Sequence, residues 1–424
     1  MAVPTNILQQ VQTYQESSLA YLVNLNCFIT TCNTKFKDFE NRIGNLGDTV
    51  TFDLPPRFVT ANSLVANFQG SVQRVQTLTV DQAQNVAYDF TAQQMLFNVE
   101  DYMKIFGKSA VEELSANVEA NVANNCVTNT FRFYGDGVTP ITTFNQLAKA
   151  LALHRNFGAA KNDTKGYISD IATPDIVGSG LNQFAQKRND DTAMSWELGP
   201  FSRCDWYQSN LLPVHTAGTE GIQASTLTVV STTKDANNVI TAITFSGTNA
   251  ASDADSVKQY DKFEFSDGVS GQTDLRFLTF IGHQTSASPV QFSASADAAS
   301  TGGSQVTVTL AQPLIAGAIN AVTATGSTTA MNINVDIVAG MQATVLPSHR
   351  AGMITSGNPL FLAMPKLPDQ DPFYTANEHD DETGVTMRMY WGTIFGQNQQ
   401  GFVHDVIWGS TLVQEYSTAI IFPL

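Results

Sequence analysis

The chain has 424 residues, of which 43% are hydrophobic and only 14% charged. That length is enough for two or three domains with separate cores. Its net charge of -16, from 38 acidic and 22 basic side chains, has the wrong sign to neutralise phosphates and excludes a direct, tight nucleic-acid binder. A container whose wall repels its contents stays compatible with that sign. The charged fraction is well below the usual quarter or so, which suits a surface that buries itself against copies of itself.

Met1-Ala-Val-Pro-Thr-Asn-Ile-Leu8 has neither the basic start nor the apolar stretch of a secretory signal. No window approaches the ~18 consecutive apolar residues of a membrane span. Cys27, Cys32, Cys126 and Cys204 are too sparse for a disulfide framework. Cys27 and Cys32 have no second Cys/His pair behind them at zinc-ligand spacing. All four read as reduced thiols made in a cytoplasm.

In chain order, residues 1 to about 45 form an arm with little core of its own, with Leu8, Val11, Leu19, Leu22 and Leu25 at roughly helical spacings. Thr49-Val-Thr-Phe-Asp-Leu54 alternates and breaks at Pro55-Pro56. Ser71 to Val80 then reads as the return limb of a long hairpin. A two-stranded excursion of this kind is marginal alone and calls for a neighbour to lie on. Ser109 and Glu112 have the S-x-x-E capping-box form. Val111, Leu114, Val118 and Val122 follow as one apolar stripe on a helix of about five turns. A second helix is expected from Thr143 to Phe157, with Phe144, Leu147, Ala148 and Leu151 inward, then a short strand at Tyr167-Ile168.

From about Gly218 to Gly340 the composition turns to Ser, Thr, Ala and Gly. Period-two runs appear at Leu227–Val230, Val239–Phe245, Lys262–Phe265 and Gln305–Leu310, each bounded by turn residues. This is a small barrel or sandwich nested in another domain. The chain closes with Gly384 to Trp391, where Val385, Met387, Met389 and Trp391 share one face, and with strands at Val403–Ile407 and Thr411–Phe422.

Catalytic chemistry has few candidates. His154 lies on the second helix and reads as a surface or packing residue. His215 and His349 flank the nested module, so their nearness would reflect the junction before a metal pair. His283 and His404 fall in strand contexts with no i+4 partner. Glu378-His379-Asp380-Asp381-Glu382 is the one concentrated acidic cluster and reads as a solvated loop, with a divalent cation or a neighbour's basic patch as the alternative. Gly178-Ser-Gly180 lacks the rest of any phosphate-binding pattern, and no P-loop, GxSxG, HExxH or EF-hand spacing appears. No catalytic, cofactor-binding or metal-ligating residue is therefore assigned, and no cofactor is expected.

Five stretches carry a resemblance. "RCDWYQSNLLPVHTAG" before the nested module, "YDKFEFSDGV" inside it, "VTVTLAQPLI" with "NAVTA" near its end, "PSHRAGMITSGNPLFLAMPKLP" after it, and "GVTMRMYWGTIFGQ" with "HDVIWGSTLV" at the C-terminus resemble, in that order, the major capsid proteins of tailed bacteriophages, and among them the P22 coat protein group. The resemblance implies an α+β, HK97-like capsid fold with an inserted all-β, barrel-like domain. Its parts would be an N-terminal arm (1–46), an E-loop hairpin (47–90), a peripheral domain with a spine helix (91–135), the first part of an axial domain (136–217), the inserted β domain (218–340), the axial return (341–384) and C-terminal strands of the peripheral domain (385–424).

The implied function is self-assembly, without enzymatic activity, into an icosahedral shell of pentamers and hexamers enclosing double-stranded phage DNA. The implied partners are a scaffolding protein, a portal and terminase, and an optional decoration protein, with no membrane. The implied place is the virion capsid after synthesis in the host bacterial cytoplasm. Some relatives cross-link through an E-loop lysine. No lysine lies between Lys37 and Lys104 here, so a shell held by non-covalent contacts is expected. The rivals are a virion decoration or tail protein, a carbohydrate-active or esterase-like enzyme with a β accessory module, and a bacterial encapsulin, against which the nested module argues.

Overall fold

A computed structural model describes residues 27–34, 46–55, 58, 64, 74–91, 107–158, 163–178, 200–249, 252–280, 282–316, 320–322, 328–330, 332–370, 373–380, 385–393 and 399–424. Most of the arm expected over residues 1–46 and most of the hairpin tip lie outside that set, as does Gly180. The described chain is β-dominated and divides into two compact units. One comprises Met1–Thr51, Thr77–Cys126 and Leu360–Leu412; the other comprises Phe52–Gln76, Val127–Pro359 and Val413–Leu424.

The first unit holds most of the long helix Lys108–Thr128. Its stripe of Val111, Leu114, Val118 and Val122 is buried as the spacing predicts. The capping box does not form at Ser109. The helix already begins at Lys108, whose ammonium pairs with Glu112 at 3.7 Å one turn on. An N-cap must have non-helical backbone, and Ser109 stands inside the first turn.

Beside the helix runs an antiparallel sheet in the order Gln82–Thr91, Gln399–Leu412, Val385–Thr393, Tyr374–Asp380, with Leu360–Ala363 paired to the far end of the second strand. Val385, Met387 and Met389 are buried as expected, while Trp391 is only half-buried. The C-terminal strands divide differently from the sequence reading. One strand of 14 residues runs from Gln399 to Leu412, and a 3-10 turn at Gln414–Tyr416 separates it from Ser417–Phe422.

In the second unit, a mixed six-stranded sheet orders Phe133–Tyr134, Ser417–Phe422, His349–Ser356, Thr164–Ser169 and Asp205–Ser209, with Val214–His215 pairing the start of the third. The helix Phe144–Asn156 packs its Leu147, Ala150 and Leu151 into a core with Ile168, Ile354, Ile420 and Phe422. Ala148 is only half-buried, and Ala150 takes the inward position expected of it. This helix carries the capping box: Thr143 Oγ1 accepts from Gln146 N, and Gln146 Oε1 accepts from Thr143 N at 3.1 Å. Gly166 lies so close to the indole of Trp206 that an added Cβ would overlap the ring.

The remainder of this unit is a curled eight-stranded sheet. Its order is Asp253–Val257, Ala298–Thr301, Gln305–Leu314, Ile240–Ser246, Thr226–Lys234, Gln342–Val345, Lys262–Phe265, Gln291–Ser293. A bridge from Ala294 to Leu310 draws one end of the sheet back toward its middle. Phe245, Phe263 and Phe292 stack inside the curl with centroids 4.7 to 6.2 Å apart. The outer face is polar because Ser and Thr alternate with these apolar positions; Gln305, Thr307 and Thr309 are exposed while Val306, Val308 and Leu310 are buried.

Candidate functional site

Two features stand apart from ordinary core packing: a two-stranded ribbon that keeps apolar side chains in water, and a buried polar cluster where the chain passes into and out of the eight-stranded sheet. The ribbon pairs Thr49–Leu54 with Arg74–Thr79 and joins no further strand among the described residues. The first strand alternates exposed and half-buried positions and has no fully buried one. Leu46, Phe58, Leu64 and Val75 are exposed at 57%, 60%, 108% and 45%. A two-stranded ribbon buried, among its described residues, only at Leu78 has little stability of its own, and exposed large apolar side chains on and near it are available for contact.

At the passage into the eight-stranded sheet, His215 pairs in antiparallel register with His349, their rings 5.4 Å apart. The structure brings these two histidines together, and what they hold is the joint. His215 Nε2 meets Asp261 Oδ1 at 2.7 Å. Asp261 also accepts from the backbone N–H of Gly218 at 3.1 Å and of Lys258 at 2.8 Å. Gly218 has no room for a side chain, since a Cβ would lie 2.6 Å from the Ser256 carbonyl. His349 shares Nδ1 with the Pro347 carbonyl at 2.8 Å. Burial first, and then the charge of Lys262, hold its pKa down to about 3.

Lys262 itself is buried, and its ammonium donates to the carbonyls of Thr130 at 2.5 Å and Thr128 at 3.3 Å. Burial pushes its pKa down to about 7, partly countered by Asp261. Sequence reasoning missed both Asp261 and Lys262 as members of a site. A charged pair opening a strand reads as solvated, and only the fold brings His215 and Gly218 to the one and Thr128, Thr130 and Leu346 to the other.

The other histidines serve packing. His154 is fully buried, with Nδ1 at 2.9 Å from Thr418 Oγ1 and Nε2 at 2.8 Å from Ser356 Oγ. A Ser–His pair of this geometry could suggest a nucleophile, but both residues are sealed and the third partner is a threonine, not a carboxylate. Burial, then Arg132 and Arg155, hold its pKa well below the usual histidine range. His404 is buried in the long strand, 3.1 Å from the Tyr88 hydroxyl, and burial lowers its pKa to about 4. His283 is not in a strand; it sits at φ 47° in the turn before Thr285–Pro289.

The acidic cluster is likewise not a loop throughout. The backbones of Glu378, His379 and Asp380 end a strand paired with Met387, Thr386 and Val385, because the hairpin register extends that far. Asp381 and Glu382 lie outside the described residues. Among the described residues no group of three His, Cys, Asp or Glu is placed to hold a metal, and no helix is long and apolar enough to cross a membrane. No disulfide joins the cysteines.

Two further buried polar contacts belong to the first unit. Glu119, on the long helix, accepts the backbone N–H groups of Cys27, Phe28 and Ile29 at 2.7 to 3.1 Å. It thereby covers the orphan donors at the start of the short helix Cys27–Thr31. Burial raises its pKa above the ordinary carboxylate value, against these bonds. Arg388 meets its cross-strand partner Asp405 with two parallel hydrogen bonds and also donates to the Pro368 carbonyl. On the same sheet Tyr88, Phe402, Trp391 and Tyr374 are successive cross-strand partners. They form a stacked aromatic row with centroids 5.0 to 5.6 Å apart.

No protein-family model matches this chain, and no curated protein matches it. Solved structures do. A structure of Mycobacterium phage Che8 aligns over 93% of this chain and 90% of its own at 6% identity and a TM-score of 0.45. The capsid of Ralstonia phage GP4 aligns over 94% and 88% at 7% identity and a TM-score of 0.40. The mature capsid of bacteriophage PhiM1 aligns over 92% and 88% at 8% identity and a TM-score of 0.39.

Proposed function

We propose that this chain is the major capsid protein of a tailed phage, a subunit whose function is shape and contact. The observation that carries the reading is the ribbon with the segment that links its strands, where Val75 on the ribbon and Phe58 and Leu64 on the link face water in the single chain. A subunit that closes a shell needs such reach toward its neighbours. At ~25 cal/mol per Å2 of apolar surface, modest contacts repeated over many copies hold a particle. The order of the five sequence stretches that resemble the P22 coat protein group supports the same reading.

In this assignment the long helix is the spine of an HK97-like peripheral domain and the ribbon is the E-loop. The six-stranded sheet is the axial domain, and the curled eight-stranded sheet is the inserted barrel. The shell encloses double-stranded DNA, which the net charge of -16 would keep from adhering to its wall. Assembly is scaffold-assisted, a portal and terminase serve packaging, and a decoration protein is a possible addition. The hairpin has no lysine from which to cross-link, so the shell is non-covalent. The sealed Ser356–His154 pair gives an esterase reading no support.

The test is co-production with the neighbouring genes and negative-stain electron microscopy of the product. Uniform polyhedral shells built mainly of this chain are the expected result; a uniform small oligomer beside a verified scaffolding partner would sink the reading. Two variants sharpen it. Leu64→Asp should leave the urea midpoint of the subunit unchanged while abolishing closed shells, because that side chain is fully exposed in the single chain. Deleting residues 1–26, which spares the buried Phe28 and Ile29 and their bonds to Glu119, should likewise give a folded subunit that makes no closed shells, and normal particles from it would remove the arm from the assembly contacts.

A further inference from the structure

The cluster at the passage into the eight-stranded sheet contains a group with more to do than hold strands together. Lys262 is 1% exposed, and lysines are almost never buried without a carboxylate in contact. Its nitrogen instead reaches two backbone carbonyls, those of Thr128 and Thr130. Thr128 is the last residue of its helix, where carbonyls have no intrahelical partner. The strand carrying Lys262 is tied in turn to the chain's exit, because its carbonyl accepts from Leu346 N at 2.9 Å. One amine thus joins the start of the Thr128–Arg132 segment to the strand that the chain must cross twice.

We propose that Lys262 is a proton-operated latch: the eight-stranded sheet is held on the Thr128–Thr130 carbonyls by a buried amine that can close the site with or without its third proton. The latch suits two states because a neutral amine retains two N–H donors, the number of carbonyls it meets. The titratable groups around it are few. Asp261 precedes it and favours the cation, but that carboxylate is already engaged by His215 and two backbone N–H groups. His349 and His215 face it from the paired strands. Glu264, two residues along the same strand, is bonded to Gln291 at 2.6 Å. With Asp261 so occupied, desolvation outweighs its attraction and the proton is held less tightly than in water.

The sign follows from linkage. The unfolded or opened chain keeps its lysine proton up to about 10.5, while the closed site gives it up from about 7. Opening therefore takes up one proton between those values and becomes harder as pH rises. This inference does not rest on the capsid reading, since it concerns the single subunit.

Hydrogen exchange of the full-length subunit, corrected for intrinsic rates, tests it at pH 6 to 9.5. Peptides covering residues 128–134, 258–266 and 342–349 should show protection that climbs above pH 7 by up to about tenfold per pH unit, the range in which the buried histidines add no slope. In Lys262→Met the same peptides should show no climb. An identical climb in the variant overturns the proposal. Should that variant not fold, competitive acylation of the wild-type amines decides: Lys262 should react slowly with a midpoint near 7, and ordinary, rapid lysine reactivity would overturn it.

Discussion

Acidification from pH 6.5 to 4 is expected to cost this chain a large share of its stability. Three histidines are buried neutral, and each can charge only when the fold opens. The unfolded chain therefore binds more protons than the folded one below pH 6.5, and stability falls as pH falls through that window. A displacement of one pKa unit is worth 1.36 kcal/mol. Over that window His349, held down to about 3, and His404, held to about 4, each contribute about 3 kcal/mol; His154 adds in the same direction. Typical domains have only about 5–15 kcal/mol to lose.

The buried carboxyls Glu119 and Glu264 oppose the trend, because their raised pKa values make the folded state the better proton acceptor above pH 4.5. Two groups do not cancel three with larger displacements. The urea midpoint measured from pH 7 to 4.5 should fall steeply, and less so in His404→Gln. A flat profile would show that these rings find protonated partners in the folded chain.

Arg388→Ala should be the most damaging single substitution on the first unit's sheet, at about 3–5 kcal/mol. The guanidinium is 6% exposed as a side chain and Asp405 15%, so truncation strands a largely buried carboxylate and leaves the Pro368 carbonyl short of its donor. Arg388→Lys should recover only part, because one ammonium cannot reproduce two parallel bonds. Urea titration at pH 7 reads the difference. A loss under about 1 kcal/mol would mean that water reaches Asp405 and the pair behaves as a surface one.

How much of this was legible beforehand depends on whether an element's signal is local. The stripe Val111–Val122 and the alternating runs at Val239–Phe245 and Gln305–Leu310 were, because burying one face imposes a period that the residues must carry. The ribbon's first strand was legible by the same rule. The cap at Ser109 misled because the S-x-x-E pattern is equally satisfied inside a first turn, whereas Thr143 and Gln146 formed the box without advertising it by a glutamate. His215 and His349 were placed together on the right grounds, as neighbours at a junction. Asp261 and Lys262 are not legible in that way, since the partners that enclose them lie far off in sequence: His215 and Gly218 for Asp261, Thr128, Thr130 and Leu346 for Lys262. Arg388 and Asp405 posed the same difficulty: a cross-strand pair depends on register, and register is decided by the whole sheet.

The aromatic row of Tyr88, Phe402, Trp391 and Tyr374 makes the molecule its own optical probe. Trp391 lies within it and Trp408 is buried in the same unit, whereas Trp206 lies in the other unit. Stacked chromophores at about 5 Å exchange excitation and share their transitions, so near-ultraviolet circular dichroism from this row belongs to the first unit alone. Loss of that signal times the melting of the first unit without any attached label.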